Sequence, residues 1–326
     1  MDKYSVCIIG LGDIGFLFDH NRKKKGDGAL SHFKAFNDSD KFAVSGVSEV
    51  KKEIREIIGP EYKIDAYEDY KKMCHEKKPD VIVVATNDES HFEILSSLIE
   101  YKPKLIFCEK PLALSLDKVK TITKLYEREG IFLQVNFTRR FLDEFYEIDK
   151  IIRGKKLGEL ESITFYYRRG LIHNASHYLD LVNWYIGETE KNLIKVSVKE
   201  GITASDETIS FDIIYENGPE VRFIGLNNSK LSFAEVDFIG SKGRLKLNYK
   251  NELEKYVVTE NEMYKGYSAY ELYECKPIQY MNALPAAVEN IFNFLSGKEN
   301  LKSPASNSIK IFELINRITE SKLCLN

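Results

Sequence analysis

Residues 105–111 read Leu-Ile-Phe-Cys-Glu-Lys-Pro: a short apolar run, then an acid, then a lysine set against a proline. The run is too short for a helix and is bounded by Pro103 and Pro111, so it reads as a buried strand. In an open parallel sheet, ligands sit beyond the carboxyl ends of the strands, which points Lys110 at whatever the protein binds. Pro111 removes a backbone donor and biases Lys110 away from the helical region. Taken alone, the same residues also read as a solvated ion pair at a strand end. A second group is His173, His177 and Asp180, spaced i, i+4 and i+7, one face of a helix that reaches back that far. Ser176 or Asn174 is its expected N-cap, and Gly187 ends it. Two histidines and an acid suit proton transfer. They also suit a divalent metal, a reading set aside because the pattern offers no further ligand group.

These groups need a scaffold, and the start of the chain supplies one. Residues 4–9 form an apolar run that ends in Gly10-Leu11-Gly12-Asp13-Ile14-Gly15. A G-x-G-x-x-G directly after a strand is the dinucleotide-binding fingerprint. Gly10 permits the tight turn, Gly12 the approach of a pyrophosphate, and Gly15 close packing of helix on strand. The helix N-terminus then presents free N–H groups to phosphate. A second strand, 42–47, is followed by Ser48 and Glu49. An acid there accepts from ribose hydroxyls and repels a 2′-phosphate, so NAD is favoured over NADP. The gap before Glu49 exceeds the usual spacing of about 20 residues, and residues 16–30 read as the insertion. Arg22, Lys23, Lys24 and Lys25, with Gly26 and Gly28, form a basic loop. It is either a solvated loop or one that closes over a phosphate-bearing ligand.

Residues 51–58 read as helix, 66–77 as a charged helix, and 81–86 as a β-branched strand buried on both faces. Helix 92–99, the strand before Glu109, helix 117–129 and strand 131–136 continue the alternation. Such alternation means a doubly wound parallel sheet.

Composition agrees. With 43% hydrophobic and 30% charged residues among 326, the chain has an ordinary soluble globular make-up, long enough for two domains. A net charge of -3 gives no one-sided field for nucleic acid. No apolar run approaches a membrane span, and with a strand from Tyr4 no signal peptide is expected. Cys7, Cys74, Cys108, Cys275 and Cys324 are scattered without metal-site spacing. A reducing cytoplasm is the expected location.

In combination, these motifs resemble a known family. They are the glycine turn, Ser31-His32, Ala85-Thr86-Asn87 with His91, and Glu109-Lys110-Pro111-Leu112-Ala113. His177-Tyr178-Leu179-Asp180, Gly187 and Ile239-Gly240-Ser241-Lys242-Gly243 follow. The chain resembles the glucose-fructose oxidoreductase, inositol dehydrogenase and rhizopine-catabolism superfamily of nicotinamide-dependent sugar dehydrogenases along essentially its whole length. The resemblance implies an α/β chain: an N-terminal Rossmann doubly wound parallel sheet, then an α+β domain with a large open, mainly antiparallel sheet. It implies that Lys110 lies beside the nicotinamide and that the Lys–Pro peptide is often cis. It adds Asp13, Ile14, Thr86, Asn87, His91, Glu109 and Asn136 to the cofactor-binding set. His177 becomes the proton-transfer residue, and Asn174 and Arg139 join Lys110 and His177 toward substrate. Family members commonly carry an aspartate four residues before the catalytic histidine. Here that residue is His173, and Asp180 is the acid left to compensate.

The crossing into a second domain falls within 120–137, giving a cofactor domain 1–123 and a substrate and oligomerisation domain 124–326. Helix 141–153 leads to strand 160–167, which ends in Tyr166, Tyr167, Arg168 and Arg169. Tyr166 and Arg168 read either as ordinary alternation or as a sugar platform. Short strands at 194–198, 208–215, 220–226, 233–239 and 243–248, with turns at 216–219 and 227–228, predict an antiparallel meander. A sheet face left open predicts a homodimer or homotetramer. Two amphipathic helices, 284–295 and 308–319, flank Pro304.

The expected function is NAD-dependent hydride transfer at a carbinol or carbonyl carbon of a sugar, cyclitol or sugar nucleotide. The alternatives are a non-catalytic, nucleotide-gated binding protein on the same scaffold, or a reductase of a non-sugar carbonyl or imine.

Overall fold

The computed structural model describes residues 3–22, 26–187, 193–197, 206–226 and 234–323. By contacts the chain divides into two compact units, 1–142 with 279–309 and 143–278 with 310–326. The first unit therefore runs past residue 123, through the last strand of its sheet to Leu142, and takes in a late helix.

Its sheet has six strands: β1 (Tyr4–Ile9), β2 (Phe42–Ser48), β3 (Ala66–Tyr67), β4 (Val81–Val84), β5 (Leu105–Cys108) and β6 (Phe132–Val135). They are ordered β3-β2-β1-β4-β5-β6 and all pair in parallel. The order reverses between β1 and β4, which opens a crevice at their carboxyl ends. Every residue of β4 and β5 is fully buried, as a parallel sheet covered on both faces requires. Leu284, Ala287, Val288 and Ile291 of helix Ala283–Leu295 join the core of this sheet. Burial pushes the Cys7 thiol up to about 11 and Cys74 up to about 12, so both stay protonated in the core.

Residues 66–77 are not one helix. Ala66 and Tyr67 pair with Val47 and Ser48 as an edge strand. Asp69 then caps a shorter helix, Tyr70–Lys77, by accepting from Lys71 N at 2.8 Å. The open edge of β2 claims the first residues, and the side chain of Asp69 claims the next backbone donor.

The second unit carries β7 (Leu160–Tyr167), β8 (Leu193–Ser197), β9 (Ser210–Ile214), β10 (Glu220–Gly225), β11 (Glu235–Gly240), β12 (Gly243–Leu247), β13 (Glu252–Glu260) and β14 (Ser268–Pro277). Their order is β14-β13-β12-β11-β7-β10-β9-β8. The sheet is antiparallel except where β7 pairs in parallel with β10. The expected meander is corrected here: β7 enters between β10 and β11, so those two consecutive strands are not neighbours. The long pair β13 and β14 was not anticipated. Charged residues on both faces of each strand disguise their alternation. The expected turn at 227–228 lies outside the described residues.

One face of this sheet is apolar, with Ile163, Phe165, Val221, Phe223, Val236 and Phe238 buried. Helices Asp143–Arg153 and Ser176–Tyr185 cover it. Tyr178 meets the Phe165 ring at 5.4 Å, and Tyr185 meets Phe238 at 6.1 Å while donating to Phe145 O at 3.0 Å. Glu147 on the first of these helices bridges buried Lys255 of β13 and Lys276 of β14. Glu274 adds a second carboxylate to Lys255 at 2.5 Å.

Candidate active site

The glycine turn sits at the switch point of the parallel sheet. Gly10 has φ +88, and a Cβ there would lie 2.6 Å from the carbonyl oxygen of Ala85, just after β4. Ala85 N donates to Ile9 O at 2.8 Å, which sews the ends of β1 and β4 together. A side chain on Gly15 would collide with the Gly10 carbonyl, whereas at Gly12 one would meet open space. Thus Gly10 and Gly15 let the backbone fold tightly, and Gly12 leaves room in front of the turn. The residues 13–17 form a wide turn of helix, with Phe16 N and Leu17 N both donating to Gly12 O. The ends of this loop and of β1 fit the pyrophosphate of a dinucleotide.

Glu49 ends β2 and is buried. Its Oε2 accepts from Leu11 N at 2.8 Å, and Oε1 accepts from Lys51 N at 3.0 Å. The carboxylate thus braces the glycine loop. Each oxygen keeps a further lone pair for a ribose hydroxyl.

At the end of β5, Glu109 is buried. His32 Nε2 approaches its Oε1 at 2.7 Å, and Asn136 Nδ2 donates to the same oxygen at 2.6 Å. Burial would raise the Glu109 pKa. The His32 hydrogen bond and charge, the Asn136 hydrogen bond and the nearby Lys110 charge outweigh it and hold the carboxyl below its ordinary range. Lys110 follows, half-buried, and the Lys110–Pro111 peptide is cis. His91 turns both ring nitrogens to backbone oxygens, Nδ1 to Pro111 O at 2.7 Å and Nε2 to Thr86 O at 3.1 Å. Its ring is wholly buried, so His91 ties the loops after β4 and β5 together. Thr86 accepts from Ser90 Oγ at 2.8 Å, Asn87 is exposed, and half-buried Arg139 lies over the Tyr280 ring. Asp13 is exposed and Ile14 half-buried on the turn itself.

In the second unit, residues 171–175 form a wide turn that leads into helix Ser176–Tyr185. His173 is exposed, His177 half-buried and Asp180 buried. Neither Ser176 nor Asn174 caps this turn. Asn174 Nδ2 donates instead to Arg168 O at 2.7 Å. The cap comes from Asp206, whose oxygens accept from Ile172 N at 2.8 Å and His173 N at 2.7 Å. Gly170, at φ +87, leaves space for that carboxylate; a Cβ there would collide with it. Burial raises the Asp206 pKa, and the backbone hydrogen bonds and the His173 charge oppose the rise. Arg168 is buried and Tyr166 half-buried at the end of β7.

Two participants escape a sequence reading. His32 stands in a recognisable pair, Ser31-His32, but only the fold brings it to Glu109. Asp206 carries no local signal, because its partners lie 33 or more residues earlier. Of the basic run 22–25, only Arg22 is among the described residues.

Residues 5–137 match the oxidoreductase family with an NAD-binding Rossmann fold. Over that stretch, about two fifths of its length, the chain is similar to the glucose-fructose oxidoreductase, inositol dehydrogenase and rhizopine-catabolism superfamily. It is 28% identical over 149 residues to an inositol 2-dehydrogenase/D-chiro-inositol 3-dehydrogenase of Lactiplantibacillus plantarum, covering 41% of each chain. The chain thus spans about two fifths of the length of that relative. Among solved structures, it superposes on an oxidoreductase of Desulfitobacterium hafniense described as a putative NADPH-dependent enzyme. That match has TM-score 0.79 and 16% identity, covering 99% of this chain and 96% of the other. The WlbA dehydrogenase of Bordetella pertussis, in complex with NADH and UDP-GlcNAcA, matches with TM-score 0.74 and 15% identity over 98% and 96% of the two chains. Among the described residues, no helix is long and apolar enough to cross a membrane.

Proposed function

We propose that this protein is an NAD-dependent dehydrogenase acting on a carbinol carbon of a sugar, cyclitol or sugar nucleotide. The observation that carries the reading is Glu109, buried and held by His32 and Asn136, which sets Lys110 at the carboxyl edge of the sheet next to the switch point. Gly10, Gly12, Asp13, Ile14 and Gly15 would hold the pyrophosphate, Glu49 the adenosine ribose, and Thr86, Asn87 and the loop fixed by His91 the remainder of the dinucleotide. The bound cofactor supplies hydride acceptance and donation.

The chain's own residues manage charge and protons. Lys110 stabilises the substrate oxygen as it gains negative character. His177 takes or returns the hydroxyl proton, a role suited to an imidazole. Asp180 on the helix of His177, and Asp206 at the backbone N–H of His173, are the acids of this region. Arg139, Tyr166, Arg168 and Asn174 are assigned to substrate binding. The inositol dehydrogenase relatives support the polyol class, and the NADH complex of a structural neighbour supports the cofactor class. In this reading the unit 1–142 with 279–309 serves the cofactor and the unit 143–278 with 310–326 the substrate, in the cytoplasm. β14 exposes Tyr270 and Leu272 on one face of the sheet, and assembly through such a face would give a dimer or tetramer.

The test is nicotinamide absorbance during incubation with cyclitols, free sugars and nucleotide sugars. Redox change with at least one polyol is expected. Dinucleotide binding without turnover across the panel would favour the second reading, a nucleotide-gated binding protein, for which exposed His173 in place of an acid argues.

A further inference from the structure

The acid assigned to the adenosine ribose is itself held by a residue outside the glycine turn. Arg55 stands in the first turn of helix Lys52–Tyr62, and its half-buried side chain folds back over the end of β2. Nη1 donates to Glu49 O at 2.6 Å and to Val50 O at 2.8 Å. A terminal guanidinium nitrogen carries two hydrogens, and here both are spent on carbonyls. Nη2 donates to Glu68 Oε2, just past β3, at 3.2 Å.

Glu49 is thereby held at every polar group. Its N–H donates to Tyr67 O at 3.0 Å, and its carboxylate accepts from Leu11 N and Lys51 N. Those three partners are backbone atoms, whereas Arg55 holds Glu49 with a side chain that a substitution can remove. A planar fork closed on two consecutive carbonyls fixes the backbone on either side of them, and that backbone aims the Glu49 carboxylate at the glycine turn. Hydrogen bonds from a charged donor are the strong ones, so the clamp is firm. The same bonds withhold Arg55 from a 2′-phosphate, the group that an arginine near this strand end otherwise meets. To reach one, Nη1 would have to give up both carbonyls.

We propose that Arg55 is a positioning residue of the dinucleotide site: by clamping Glu49 O and Val50 O it holds the Glu49 carboxylate against Leu11 N, and so sets a preference for NAD over NADP. The inference rests on the reading of Glu49 as the ribose acid. Arg55 acts through Glu49 and contacts neither ribose nor phosphate itself.

Two measurements on the full chain test it. The first is titration with NAD and with NADP of the parent, Arg55→Met, Glu49→Ala and the double variant. Arg55→Met keeps an unbranched stem and removes the donors. It is expected to narrow the preference for NAD about tenfold, the equivalent of about 1.4 kcal/mol. In the Glu49→Ala background the same change should move the preference by less than about twofold, because residues acting through one contact are not additive. A merely structural role weakens both dinucleotides alike, and a direct effect of the Arg55 charge persists without Glu49; either result overturns the proposal. The second measurement is amide hydrogen exchange with no ligand present. Exchange at Leu11 should quicken about tenfold in Arg55→Met, a local opening, while the β4 amide of Val83 keeps its protection. Unchanged exchange at Leu11 overturns the clamp. A parent that binds neither dinucleotide, with Leu11 exchange quickened in the variant, removes the cofactor reading and leaves the clamp on Glu49 standing. If Arg55→Met fails to fold, Arg55→Lys carries the test, because it keeps the charge without the planar fork. The same shifts are expected there in smaller measure, and an unaltered preference with unaltered Leu11 exchange overturns the proposal.

Discussion

His32 Nε2 stands 2.7 Å from Glu109 Oε1, and both side chains are buried at the end of β5. The pair joins the helix that follows the insertion to the strand that carries Lys110. It fixes the backbone from which Lys110 extends.

The pair has a consequence for stability against pH. The folded Glu109 carboxyl lies below its ordinary value of 4.5, with burial opposing and His32 and Asn136 prevailing. A depressed carboxyl pKa contributes stability above the unfolded value, and that contribution drains as pH falls through and below about 4.5. Glu109→Gln should cost roughly 1.5–3 kcal/mol at pH 7, the range for hydrogen bonds to a charged group. Urea unfolding at pH 7 and at pH 4 checks it: the gap to the parent should narrow at the lower pH. A gap that stays constant would remove the ionised carboxylate from the account.

Lys110→Ala should lower kcat by about 10²- to 10⁴-fold, the usual contribution of a positioned acid–base group. Dinucleotide affinity, measured by fluorescence titration, should change far less. Near-normal turnover would end the assignment of Lys110.

Glu49→Ala should weaken NAD binding and relax discrimination against NADP, because it deletes both the ribose acceptor and a like charge facing a 2′-phosphate. It also frees Leu11 N and Lys51 N, so affinity for both dinucleotides should fall, NAD the more. Parallel titrations with the two cofactors decide this, and an unchanged preference would take Glu49 out of the ribose site.

Gly170→Ala should destabilise the second unit by roughly 2–4 kcal/mol, as strained backbone and a buried collision do. The new Cβ would strike the Asp206 carboxylate from a φ of +87. Asp206→Asn keeps the shape and one acceptor, so it should cost less than Gly170→Ala in the same denaturant melt. The reverse order would mean that the charge, not the fit, holds the turn.

His177→Asn should reduce kcat by about 10²- to 10⁴-fold and abolish the limb of the pH–rate profile that belongs to the histidine. Retention of that limb would assign the proton transfer elsewhere.

Much of this molecule is written locally. β1, β5 and the glycine turn follow from short apolar runs and from glycines, because period, length and backbone freedom are properties of adjacent residues. The alternation of strand and helix then determines the parallel sheet, and with it the edge on which Gly10, Glu49, Thr86 and Lys110 must lie. The tertiary structure decided what depends on distant partners. The open edge of β2 drew Ala66 and Tyr67 out of their expected helix. The insertion of β7 beside β10 placed a parallel pair inside a sheet that reads as a meander. Asp206, rather than Ser176 or Asn174, caps the turn of His173, and His32 anchors Glu109 across 77 residues. Hydrogen-bond satisfaction of buried groups is settled by whichever donor or acceptor the fold delivers, and sequence proximity gives it no preference.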